Sequence, residues 1–285
     1  MVDMCYEGRV PKVHICATGE PFMHKDVLSM MDYTIDVYGS VSIQTDFFQP
    51  LFEKQNYLDA IVARGDSISC IITDILSGDP DIHESIKKGS SFKYIMSSME
   101  YLSSLSNIVF EIHYIITKYN YKNLTLLINE LAKRKINCYI AIVNLHASGF
   151  NDFTSPRSAY KESDINITNA LKQAESLGLE KGIKVSLPTP VDKNNGQCGS
   201  FWTRFQTWPV EGIDESRYAE NVIVGGCNAV VRGNLNTLGY MFDYDNVMDL
   251  WNNKYFVEIR ENLLKGVYPD DECKVCQNYK RIGSR

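Results

Sequence analysis

Short apolar runs of strand length alternate with longer stretches of helical period, and that alternation limits this chain to very few architectures. The strand-like runs are KVHICAT, SVSIQTD, SISCIITDI, IVFEIHYIIT, NCYIAIVNLH and, more weakly, KVSLPTPV. Between them lie HKDVLSMMDYTIDVY, PLFEKQNYLDAIVAR, SFKYIMSSMEYLSSL, NLTLLINELAKRK and ITNALKQAESLG. In NLTLLINELAKRK the residues Leu124, Leu127, Ile128 and Leu131 share one face at spacings of three and four, as an amphipathic helix requires. SCIITDI and YIAIVNL are apolar without alternation, which predicts strands covered on both faces. Strand and helix alternating at this pitch predict an α/β fold, with βα units around a parallel sheet curled as a barrel or part of one.

Polar residues gather where such a fold would place a site. Glu20, Thr45, Asp74, Thr117, Asn144 and His146 all sit at or just past the C-terminal ends of their runs. In parallel α/β folds that edge carries the ligands, because loops and helix N-termini converge there. Taken singly, each also fits an N-cap or turn role.

Charge and composition narrow the partners. A net charge of −6 and a pI near 5.5 argue against nucleic acid. No apolar run approaches the ~20 residues of a membrane span, and MVDMCYEGRVPK has no signal-peptide core. The expected location is therefore the cytoplasm, where the eight cysteines favour metal ligation or burial over disulfides.

The cysteines divide into two sets. Cys16, Cys70 and Cys138 lie in apolar strand runs and read as core, and Cys5 reads as an ordinary terminal thiol. Cys198, Cys227, Cys273 and Cys276 lie in polar or turn-rich stretches, the last two as the chelating pair in ECKVC. Four thiolates from three loops suit an iron–sulfur cluster or zinc, and spacing leaves both open. A change of character after Val191, with all three tryptophans beyond it, places a domain boundary near residue 193. The expected domains are 1–193 and 194–285.

TGEPFMHKDV resembles the Gly-Gly-Glu-Pro segment of radical S-adenosylmethionine enzymes, and the likeness continues through VSIQTD, SCIITDILSGDPDIHESIKKGSSF and YIITKYNYKNLTLLINELAKRK. CGSFWTRF, GGCN, NVMDLWNNKYFVEIRENLLKG and CKVC are similar to the SPASM or twitch module that carries auxiliary clusters. The resemblance implies a partial (β/α)6 TIM-like barrel with a small cysteine-rich SPASM/twitch domain, and an oxidoreductase-type chemistry. It implies that Glu20, in the Gly19-Glu20-Pro21 turn, takes the α-ammonium of S-adenosylmethionine, where a carboxylate facing a cation makes a charge-assisted hydrogen bond. Asp74 or a close neighbour would meet the ribose and Lys87 the cofactor carboxylate, without the bidentate fork of an arginine. Thr45, Asn120 and Asn144 are further candidates around the cofactor. Cys198, Cys227, Cys273 and Cys276 match a twitch set for one [4Fe–4S] cluster, with zinc the alternative. A peptide, protein side chain or small alcohol is the implied substrate, and a ferredoxin or flavodoxin the implied reductant.

One element of that family's pattern is missing. The Cys-x-x-x-Cys-x-x-Cys triad that holds the catalytic cluster should precede Gly-Glu-Pro, and Cys5 is the only cysteine before the strand that contains Cys16. The expectation is a chain shortened at its N-terminus, lacking the first βα unit. The alternative is a non-catalytic relative that binds metal or cluster and serves as a binding or scaffold protein.

Overall fold

A computed structural model describes residues 1–16, 19–145, 160–161, 163–188, 190, 197–209, 222–225, 240–268 and 279–280. The chain divides into two compact units, one of residues 12–190 and one of residues 1–11 with 191–285.

The second of these opens with helix α1 (Val2–Glu7), on which Cys5 is buried. A Cβ on Gly8 would lie 1.9 Å from the Val247 side chain, so the turn after α1 approaches that residue too closely for any other amino acid.

The larger unit is one six-stranded sheet with every neighbouring pair parallel. Its strands follow chain order: β1 (His14–Ile15), β2 (Val41–Gln44), β3 (Ile68–Asp74), β4 (Phe110–Ile116), β5 (Cys138–Asn144) and β6 (Lys184–Ser186). The crossovers are α2 (Val27–Tyr38), α3 (Gln49–Gln55), α4 (Tyr57–Val62), α5 (Pro80–Ile86), α6 (Phe92–Leu105), α7 (Leu124–Lys133) and α8 (Ile165–Lys181). The architecture is that of a partial TIM-like fold, as the alternating runs predict. PLFEKQNYLDAIVAR folds as two helices, because Asn56 takes a left-handed conformation (φ 52°) that ends α3 and starts α4.

Burial alternates along the strands, so one face is covered and the other only partly. Ile43, Ile71, Ile112, Tyr114, Ile116, Ile140 and Ile142 belong to the same core as Met31, Ile61, Met96, Met99, Leu127 and Leu131 of the helices. The intervening residues Ser42, Gln44, Cys70, Asp74, Glu111, His113 and Tyr139 are half-buried. The expectation of strands covered on both faces is thereby corrected: Ile72, Ala141 and Val143 lie on a second face that keeps partial access to solvent. The same face explains Cys70, which is half-buried rather than core; Cys16 is exposed past the end of β1, and Cys138 only packs against the core margin.

In the smaller unit β7 (Gln197–Cys198) pairs antiparallel with β10 (Tyr279–Lys280), and β8 (Gln206–Pro209) with β9 (Val222–Gly225). Helix α9 (Ser200–Thr203) follows β7, and α10 (Val247–Trp251) and α11 (Lys254–Leu264) adjoin one another. The DLWNN motif acquires a physical reason here. Asn253 caps α11 by accepting from Tyr255 and Phe256 N–H, both at 3.0 Å. Arg260 donates to the Trp251 carbonyl and lies 5.1 Å from the Trp251 ring centroid. No helix among the described residues is long and apolar enough to cross a membrane.

Candidate functional site at the C-terminal edge of the sheet

The Gly19-Glu20-Pro21 turn forms because proline lacks an N–H and suits the first position of the 3-10 turn Pro21–Met23. Glu20 caps that turn, its Oε1 accepting from Phe22 N–H at 3.1 Å. Phe22 is fully buried against Phe52 and Tyr57, with ring centroids 4.7 and 4.9 Å away, so the turn is anchored from below. A Cβ on Gly19 would meet no atom within 4 Å, and the rim beside Glu20 is therefore open.

The Glu20 carboxylate turns towards the end of β2. Thr45 Oγ1 lies 2.9 Å from Oε1 and 3.0 Å from Oε2, and Asp46 N–H donates to Oε2 at 2.8 Å. Burial pushes the Glu20 carboxyl above the usual carboxylate range, as does the Asp46 charge, while hydrogen bonds from Asp46, Phe22 and Thr45 oppose the rise. Thr45 also accepts from Phe47 N–H at 3.0 Å. Phe47 is buried with φ 50°, a strained conformation for so bulky a residue, and it fixes the backbone just after Asp46.

Lys87, at the C-cap of α5, brings an ammonium to the same edge. Its Nζ lies 2.5 Å from Asp46 Oδ1, 3.4 Å from the Asp74 carbonyl and 4.0 Å from Asp74 Oδ2. Asp74, at the end of β3, has its carboxyl raised by burial and by Asp46, against lowering by Lys87 and His113. Glu20, Thr45, Asp74 and Lys87 therefore meet at one rim, together with Asp46.

The two remaining candidates, both asparagines, differ. Asn120 is fully buried and spends its side chain inside the protein, donating to the Leu76 and Ile115 carbonyls at 2.7 Å each. Its Oδ1 accepts from Thr117 N–H at 2.8 Å and lies 3.2 Å from Thr117 Oγ1. Its two donors and both acceptor positions are all used by these partners. It clips the loop after β3 to the end of β4. Asn144 is buried at the end of β5. His146, Cys227, Cys273 and Cys276 lie outside the described residues, as does the side chain of Cys198. Among the described residues no group of three or more His, Cys, Asp or Glu is placed to hold a metal ion.

Sequence reasoning missed a chain of ionisable groups on the half-open face. Strand register sets Asp74 opposite His113 and Glu111 opposite Tyr139. His113 Nε2 lies 2.9 Å from Glu111 Oε1, its Nδ1 lies 3.7 Å from Asp74 Oδ1, and the Tyr139 hydroxyl donates to Glu111 Oε2. The hydrogen bond from His113 is the main reason the Glu111 carboxyl is lowered. The signal was present in FEIHY, where glutamate and histidine alternate with buried apolar residues and so share the less covered face. His83, also missed, is fully buried behind the rim. Its Nδ1 accepts from Leu76 N–H at 3.1 Å, so Nε2 carries the proton and donates to Ser90 Oγ at 3.0 Å.

No family model matches the chain, and no curated protein does. Solved structures of Streptococcus suis SuiB do resemble it. One superposes with a TM-score of 0.67 at 13% identity, covering 97% of this chain and 64% of that one. SuiB bound to S-adenosylmethionine gives 0.67 at 14% identity, covering 99% and 68%. SuiB bound to the precursor peptide SuiA gives 0.63 at 13% identity, covering 97% and 61%. The chain thus spans less than two thirds of the first SuiB structure, and likeness at such identities shows a shared fold.

Proposed function

We propose that this chain is an iron–sulfur protein of the radical S-adenosylmethionine, SPASM/twitch type, whose complete form takes hydrogen from a peptide, protein side chain or small alcohol. One observation carries the reading: the Glu20 carboxylate is fixed at the C-terminal rim of a parallel sheet by donors from the end of β2, beside the Lys87 ammonium. The residues fit the cofactor. Glu20, Asp46 and Asp74 outnumber Lys87 at the rim, and the Glu20 and Asp74 carboxyls are raised by burial and, further, by the Asp46 charge beside them. S-adenosylmethionine, with its ammonium, carboxylate and sulfonium, has the complementary balance. Glu20 would hold the ammonium, Lys87 the carboxylate and Asp74 a ribose hydroxyl, with Thr45 orienting Glu20. With a reduced cluster beside it, the cofactor would supply the radical chemistry for hydrogen abstraction. SuiB, the protein of similar fold, is seen bound to S-adenosylmethionine and to a precursor peptide, which favours a peptide substrate here.

For the auxiliary site, Cys198 is paired across β7 and β10 with Tyr279, three residues after Cys276. Three residues span at most about 10 Å, so the backbone supports a set that includes both cysteines. Cys227 and Cys273 would complete four thiolates for a [4Fe–4S] cluster, or for zinc. Anaerobic reconstitution with iron and sulfide counting tests it; zinc without sulfide would defeat the cluster. Equilibrium binding of S-adenosylmethionine to wild type and Glu20→Gln tests the rim. A reduction in affinity of about tenfold or more is expected for loss of a charge-assisted contact, and equal binding would sink the assignment. Radical generation is proposed for a form carrying the Cys-x-x-x-Cys-x-x-Cys triad, and is read as 5′-deoxyadenosine release with dithionite.

A second reading is a metal- or cluster-bearing binding or scaffold protein that uses the C-terminal cysteines without radical chemistry. Replacing Cys273 and Cys276 by serine would then remove all bound metal, and metal retained in that variant argues against it.

A further inference from the structure

We propose that Asp46 is an exchangeable counter-ion that competes with the amino-acid end of the ligand: it occupies Lys87 until a ligand carboxylate replaces it. The inference rests on the reading of the rim as an S-adenosylmethionine site. Asp46 touches both groups assigned to the amino-acid end, through its N–H to Glu20 Oε2 at 2.8 Å and its Oδ1 to Lys87 Nζ at 2.5 Å. The two contacts differ in how easily they break. The N–H belongs to backbone held by the strained, buried Phe47. The Asp46 side chain is 42% exposed and regains water when released, whereas Lys87 is only 20% exposed and requires an acceptor. A half-exposed ion pair is worth ~1 kcal/mol or less, so exchanging one carboxylate for another costs little. Release of Asp46 leaves Glu20 in place, because the N–H that holds it does not move with the side chain.

Asp46 also sits near two other carboxylates, Glu20 and Asp74, and its charge raises both. Without a ligand, Lys87 is its only compensating contact among the described residues. A ligand that brings a carboxylate to Lys87 and an ammonium to Glu20 replaces that pair and adds positive charge beside Asp46. A ligand lacking the amino-acid end does neither, and leaves the Asp46–Lys87 pair closed. Asp46 thereby penalises carboxylate-bearing ligands slightly, and its side chain is the group through which the rim distinguishes them.

The test uses calorimetric titration of the full chain with S-adenosylhomocysteine, S-adenosylmethionine and 5′-methylthioadenosine. S-adenosylhomocysteine keeps the amino-acid end without the sulfonium charge, so it isolates the exchange. Asp46→Asn should bind it about 2- to 5-fold more tightly than wild type, with a smaller gain for S-adenosylmethionine and no change for 5′-methylthioadenosine. In a Lys87→Met background the same substitution should gain nothing. Unchanged or weakened S-adenosylhomocysteine binding in Asp46→Asn, or a gain that survives without Lys87, overturns the proposal. Asp46→Ser provides the same comparison where the asparagine variant does not fold. If wild type binds none of the three ligands, the cofactor reading itself fails; if it binds them and only the exchange is missing, the counter-ion role alone is lost.

Discussion

His83 should make the larger unit sensitive to mild acid. The ring is fully buried, its Nδ1 committed to Leu76 N–H, and it meets Phe92 edge-on with centroids 5.7 Å apart. Burial, reinforced by the Lys87 charge, lowers its pKa from 6.5 to about 4. A base whose folded pKa is depressed stabilises the fold above the unfolded pKa and loses that contribution as pH falls towards the folded one. Between pH 7.5 and pH 5 the unfolded chain gains most of a proton at this position while the folded chain stays neutral, a loss of ~2 kcal/mol. The limit below pH 4 is ~3 kcal/mol. Urea unfolding followed by far-ultraviolet circular dichroism at the two pH values, in wild type and His83→Gln, isolates this contribution, because other titrating groups are common to both. Wild type should lose ~2 kcal/mol more than the variant on acidification. Equal losses would show that the imidazole is protonated or exposed in the native state, and would refute the reasoning.

Asn120→Ala strips partners from two carbonyls and one N–H in a dry interior, and should cost ~3–5 kcal/mol in the same unfolding assay. Asn120→Asp should be no better, since its carboxylate would face two carbonyl oxygens. In Gly78→Ala the new Cβ would lie 2.1 Å from Leu127 N and 2.7 Å from the Asn123 carbonyl, both backbone atoms of the α7 region. That variant should lose ~3 kcal/mol or more, or fail to accumulate as folded protein, whereas Gly19→Ala should stay within ~0.5 kcal/mol. Because the Glu20 carboxyl is raised in the folded protein, a cationic amino-acid ligand must displace a proton from it as pH falls. S-adenosylmethionine affinity should therefore decline towards the carboxylate range, with proton release seen as a buffer-dependent calorimetric enthalpy, and Glu20→Gln should abolish that release.

The βα alternation was legible because hydrophobic periodicity is local. Each of the six apolar runs became a strand, and the helical face of Leu124, Leu127, Ile128 and Leu131 is buried as its spacing requires. The break at Asn56 was not legible, since an asparagine in left-handed conformation looks the same in sequence as one inside a helix. The openness of the second sheet face was misjudged from SCIITDI and YIAIVNL, because apolar content reports what a strand can bury and not what covers it. Asn120 was assigned to a ligand, and its use as a clip depends on loops that only the fold brings together.

By itself the sequence determined the order of strands and helices, the Glu20 turn with its proline, and the acidic, cysteine-bearing character of the chain. Only the tertiary structure decided that Glu20 meets Thr45 and Asp46, that Asp46 holds Lys87, and that Asp74, His113, Glu111 and Tyr139 form one row. The reason is the separation of the partners. Glu20 and Asp46 are 26 residues apart and Asp46 and Lys87 are 41. Their contacts arise because parallel strands bring every C-terminal end to the same rim, and strand register then chooses which side chains stand opposite each other.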